Sequence, residues 1–132
     1  MKTTQKQAVA AYRALQEIGA LPFPVRDALA LLRAKKQLET AWEFQCQEEG
    51  KLAAAFRPQV KDGKYVMTYE RGDEEGEKRA REFTEKMREL QELETEIAGE
   101  PARVRVPGDE VRIRPETLAA LEGFVEWEEA DT

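Results

Sequence analysis

The chain has 132 residues, enough for one domain with a modest single core. It is 41% hydrophobic and 36% charged, and its formal net charge of -6 disfavours a bulk nucleic-acid binder, because attraction to phosphate needs a positive field. No run approaches the roughly 18 apolar residues of a membrane span, and no signal-peptide core opens the chain.

The lone Cys46 permits no internal disulfide, which fits a reducing interior, and a soluble, cytoplasmic protein is expected. Thr4-Gln5-Lys6-Gln7 has the form of a capping box, in which a Thr hydroxyl and a Gln amide satisfy each other's orphan backbone groups. It opens a helix over 4–18 with Ala8, Ala11, Tyr12, Leu15 and Ile18 on one face, and Gly19 stops it. Pro22 and Pro24 bias their predecessors toward extended backbone, so Leu21 and Phe23 plug a corner and Pro24 begins the next helix.

That helix spans 24–56, and the rest of the chain is organised around it. The 3-4 spacing picks out Ala28, Leu31, Lys35, Leu38, Trp42, Gln45, Glu49, Leu52 and Phe56, and Leu29, Leu32, Ala41 and Cys46 widen the stripe on its flank. Gln45 and Glu49 make its middle polar, so the seam is expected to be broken or half-exposed there. Pro58 ends the pattern. Asp62-Gly63 then suits a type I′ turn in a hairpin over 58–70, with Val60 opposite Tyr65.

A second long helix is expected over 73–98, carrying Ala80, Phe83, Met87, Leu90, Glu94 and Ile97 at the same spacing. Its first turn is acidic, as the helix dipole favours. The two long helices pack most simply as an antiparallel pair crossing at about 20°. Arg103-Val104-Arg105-Val106 and Val111-Arg112-Ile113-Arg114 alternate with period two around Pro107-Gly108-Asp109-Glu110, which reads as a second hairpin over 102–114. Its apolar residues share one face, and Arg103, Arg105, Arg112 and Arg114 share the other. Pro115 starts a last helix over 115–127 with Leu118, Leu121, Phe124 and Val125 inward, and the acidic tail from Glu126 to Thr132 frays. The fold class is therefore α+β: a long antiparallel helical hairpin, two shorter flanking helices, and one or two β-hairpins forming a small sheet.

Four like charges on one hairpin face repel and need compensation. Pairing with glutamates of adjacent helices or of the acidic tail is the favoured reading. An anion site for phosphate, nucleotide or nucleic-acid backbone is the functional alternative, and an acidic partner or second subunit the third. Glu85, Glu89, Glu92 and Glu96 line one side of a helix at metal-compatible spacings. Bundle carboxylate sites normally add histidine three residues from Glu, and this chain has none, so these residues read as a solvated face. Cys46 lacks a histidine to activate it and reads as a small buried hydrophobe. Gly50 and Gly76 sit singly in helical patterns, and no glycine-rich phosphate loop is present. Neither catalysis nor a cofactor or metal is expected. Trp42, Tyr65, Tyr69 and Trp127 are the candidate interaction surface, with the last three exposed.

Several local patterns also stand in a particular order. Ala8 to Ile18 reads Ala-Val-Ala-Ala-Tyr-Arg-Ala-Leu-Gln-Glu-Ile, and Leu21-Pro22 and Val25-Arg26-Asp27-Ala28 come next. Leu38-Glu39 with a charged helical run, the Asp-Gly turn, and a final helix over 118–126 complete the outline. In this order the chain resembles a family of small helical proteins of uncharacterised function encoded by tailed bacteriophages and prophages, from which the stretch 61–71 departs. The resemblance implies a phage or prophage origin and a role in the infected host's cytoplasm, and it carries over no catalytic or binding residues. The expected function is non-enzymatic: protein-protein contact with a second copy, a phage assembly component or a host protein. The rivals are anion, nucleotide or nucleic-acid binding through the arginines, and, weakest, a carboxylate-metal nucleotide hydrolase using Glu85, Glu89 and Glu92.

Overall fold

A proline at one end and a left-handed residue at the other delimit the longest element. Pro24 takes an extended conformation before helix α2 (Val25–Phe56), and Arg57, at φ 51° and ψ 54°, turns the chain out of it just before Pro58. The computed structural model describes residues 1–129. In front of α2, strand β1 (Lys2–Thr4) runs directly into helix α1 (Gln5–Ile18). The capping box at their junction is formed: Gln7 N–H donates to the Thr4 hydroxyl at 3.2 Å, and Thr4 N–H donates to the Gln7 side-chain oxygen at 3.3 Å.

Helix α1 lies antiparallel to the first two thirds of α2. Its narrow face of Ala8, Ala11 and Ala14 allows close approach, and Leu15 and Ile18 meet Leu31, Ala34 and Leu38 across the seam. Leu15, Ile18 and Leu38 are fully buried, and each such side chain contributes about 1.5–3 kcal/mol of transfer free energy. Helix α3 (Glu74–Glu92) covers the remaining third of α2, running back from Phe56 toward Ala41. The Phe56 and Phe83 rings lie 5.6 Å apart. Arg79 donates to the carbonyls of Ala55 and Phe56 at 3.3 Å each, satisfying two orphan acceptors at the C-terminus of α2. The expected helical hairpin is thus present, with its overlap confined to the C-terminal third of α2.

Between the two helices, β2 (Gln59–Lys61) and β3 (Lys64–Val66) form the first hairpin with Val60 opposite Tyr65, as the Asp-Gly turn requires. Asp62 and Gly63 both adopt positive φ, 52° and 75°.

Four expectations are corrected. The second long helix ends at Glu92 rather than 98, because Leu93 is extended and its carbonyl accepts Gln5 N–H at 2.8 Å. Strand β4 (Glu94–Glu96) follows and pairs antiparallel with β1. Thr95 and Ile97 face inward and Glu94 and Glu96 outward, so Ile97 joins the core from an extended segment. The hairpin over 102–114 does not form. Strand β5 (Ala102–Arg105) instead pairs in parallel with β6 (Val125–Glu128), and Val106 N–H continues the ladder to Glu128 O at 2.7 Å.

The last helix, α4 (Pro115–Leu121), is correspondingly shorter than 115–127, and with the preceding loop it forms the crossover that a parallel pair needs. Burial accounts for the choice of partner: Val104 is fully buried and Val125 nearly so, and the pairing lays both against α1 and α2. Residues 126–128, expected to fray, are strand; of that expectation, 130–132 lie outside the described residues. Among the described residues, no helix is long and apolar enough to cross a membrane.

Candidate functional site

The parallel pairing disperses the four arginines. Arg103 lies 3.8 Å from Glu126 on the neighbouring strand, and Arg114 meets Glu17 of α1 at 2.8 Å, with Glu116 at 3.6 Å. Glu17 is held in turn by the Thr117 hydroxyl at 2.7 Å. Such exposed pairs are worth about 0–1 kcal/mol each, but they supply the compensation that clustered arginines need. Arg112 has no ion-pair partner among the described residues. It lines a groove of about 750 Å³ with Val106, Ile113, Leu118 and Trp127.

Arg105 is the exception in kind, because its partner is buried. Asp27, in the first turn of α2, is 1% exposed. Its Oδ1 accepts a long hydrogen bond from Arg105 N–H at 3.5 Å, and its Oδ2 lies 3.7 Å from Arg105 Nε without a hydrogen bond. A buried carboxylate beside one cation and one amide pins the start of α2 to β5 and closes the floor of a cleft of about 460 Å³. Among the described residues no three Asp, Glu or Cys side chains gather as metal ligands. Glu85 is engaged with Arg88, and hydrogen bonding to Glu85, ahead of the surrounding negative charge, raises the Arg88 pKa above its ordinary value.

The four aromatics chosen from sequence do not come together. Trp42 is half-buried, stacked 4.8 Å from Tyr12 and covered by the Arg13 guanidinium. Trp127, expected to be exposed, is half-buried beside Phe23, because it lies on β6 rather than at a fraying helix end. Tyr65 meets Phe83 edge-on, and only Tyr65 and Tyr69, on and after the first hairpin, are exposed.

The polar break in the α2 stripe is closed within the chain. Gln45 and Gln5 are both buried; Gln5 Nε2 donates to Ala41 O at 3.0 Å and to Gln45 Oε1 at 3.3 Å, and Gln45 Nε2 donates to Glu49 at 2.9 Å. A satisfied buried amide pair fixes how α1 meets α2.

What the sequence reading misplaced is the flank of that stripe. Cys46 is exposed, and so are Leu29 at 44% and Leu32 at 48%, which point away from the core. Val25, one turn earlier, is 85% exposed. The same line along the helix continues through Lys36, Thr40, Glu43, Gln47, Gly50 and Ala54, all exposed, while Asp27, Leu31, Ala34, Leu38, Ala41 and Gln45 occupy the opposite side. Leu32 also lines a groove of about 340 Å³ with Leu15, Leu21, Phe23, Ala28 and Leu31. The missed signal was a second apolar series, Val25, Leu29 and Leu32, running beside the core series.

The two helical glycines differ on the same grounds. A Cβ at Gly76 would come within 2.5 Å of Asp73 Oδ2 and 2.7 Å of Tyr69 Cβ, so the N-cap of α3 requires glycine there. A Cβ at Gly50 would meet nothing within 4 Å, although glycine in a helix interior costs about 1 kcal/mol relative to alanine.

Compared with known proteins, the chain matches no family model, no curated protein and no solved structure.

Proposed function

We propose that the protein works without catalysis, as an interaction protein whose contact surface is the outer face of α2. The observation that carries this reading is the exposure of Val25, Leu29 and Leu32 side by side on a helix whose other face already holds the core. Apolar side chains grouped on one face support a contact surface, whereas singly scattered ones need no explanation. The resemblance to small proteins of tailed bacteriophages and prophages supports a setting in the cytoplasm of an infected host. There the protein serves as an assembly accessory or modulates a host protein.

Placing a photoreactive residue at Leu29, and at exposed Glu82 on α3 as control, tests the reading in cells. Position 29 is expected to give a discrete adduct and position 82 none. No adduct at position 29, or equal adducts at both, contradicts it. Anion or nucleotide binding is the second reading, narrowed from the four arginines to Arg112, which lines the groove beside Trp127 without an ion pair among the described residues.

A further inference from the structure

Charge along α2 is divided between its two halves. The first carries Arg26, Arg33, Lys35 and Lys36 with only the buried Asp27 against them; from Glu39 onward the helix carries Glu39, Glu43, Glu48 and Glu49 against Lys51 alone. The outer face repeats this division. Val25, Leu29, Leu32 and Lys36 occupy its first half, and Glu43, Gln47, Gly50 and Ala54 its second, all within about 40° of one line along the helix. Large apolar groups therefore stand at one end of the face and small groups at the other, with a cation and an anion between them. The same series run in the opposite direction complements this face, cation against anion and large apolar groups against small ones.

We infer that the outer face of α2 is covered by the α2 of a second copy of this chain, antiparallel, about a two-fold axis lying between Glu39 and Thr40. In that register Lys36 faces the partner's Glu43, Leu32 faces Gln47, Leu29 lies over Gly50, and Val25 lies over Ala54, each contact occurring twice. The contact is self-complementary, as a two-fold interface must be. It runs along about 45 Å of helix, given a rise of 1.5 Å per residue.

Gly50 acquires a reason in this arrangement. Within one chain nothing stands near it, and alanine would make the better helix; under the partner's Leu29, the missing Cβ lets the two backbones approach. A parallel pair would instead set Lys36 on Lys36 and Glu43 on Glu43, and like charges in contact select against it. The register rests on the proposed use of this face, and the photo-adduct separates the two claims. An adduct of twice the chain mass is expected. An adduct with a different protein leaves the contact surface standing and overturns self-pairing.

Sedimentation equilibrium of the full chain tests the register. The wild type is expected to be a dimer, with Lys36→Glu and Glu43→Lys each weakening dimerisation more than about tenfold through like-charge contacts. The double variant Lys36→Glu/Glu43→Lys restores it. Gly50→Ala separates fold from interface, because it raises the melting temperature of the dilute monomer while weakening the dimer. All three positions are exposed, so loss of fold does not confound the result. A monomer at all concentrations, a dimer indifferent to the charge exchanges, or a dimer tightened by Gly50→Ala would each overturn the inference.

Discussion

The two faces of α2 invert the usual placement of residue types. The inner face buries Asp27 and Gln45 among leucines and alanines, and the outer face leaves Val25, Leu29 and Leu32 in solvent. The inner polar groups have partners in this chain: Gln45 has Gln5 and Glu49, and Asp27 has Arg105. Around the outer apolar groups no such partner is found among the described residues, and the single glycine of α2 stands toward the other end of the same face with open space beside it. The difference shows that burial follows the availability of a partner rather than polarity alone, and it is why the proposed contact surface lies on the outer face.

Substitutions on the two faces sharpen this contrast. The largest effect belongs to Leu38→Ala on the inner face, at 1% exposure, which removes a fully packed side chain and should lower stability by about 2–5 kcal/mol in urea unfolding. Gln5→Ala comes next. It removes the donor to Ala41 O and Gln45 Oε1, leaves the buried Gln45 Oε1 unpaired, and should cost about 1–3 kcal/mol by the same measurement. If Gln5→Ala proved neutral, the buried amide pair would not fix how α1 meets α2. On the outer face the sign reverses: Gly50→Ala should raise the stability of the dilute monomer by about 1 kcal/mol, seen as a later thermal transition.

How far the fold is legible in the sequence depends on how local each cause is. The hairpin with Val60 opposite Tyr65 follows from Asp62 and Gly63, two adjacent residues with the backbone freedom the turn needs. The alternation at 103–106 is equally clear, but period two says only that a strand exists and not which strand it joins. Its partner, Val125–Glu128, lies beyond an intervening helix, and the burial of Val104 and Val125 that selects it is a property of the assembled core. Ile97 illustrates a different ambiguity. It stands seven residues after Leu90 and four after Leu93, which continues a helical series, yet Leu93-Glu94-Thr95-Glu96-Ile97 also alternates. Pairing with β1 decides between the two.

The arginines were visible as a group, and their separation was not, because Asp27, Glu17 and Glu126 reach them from three other elements. The outer stripe was present in the sequence at the right spacing. Leu29 and Leu32 read as the margin of the core stripe because their direction is fixed only once α1 has taken the opposite side.

The smallest effect on stability and the largest on association should come from one variant, Leu29→Glu/Leu32→Glu, which separates a contact role of the outer face from a structural one. Urea unfolding of the dilute chain is expected to stay within about 0.5 kcal/mol of wild type, as for surface positions, while sedimentation shows that association is lost. A marked fall in stability with sedimentation unchanged would mean that these leucines serve the fold and that the outer face of α2 is not a contact surface.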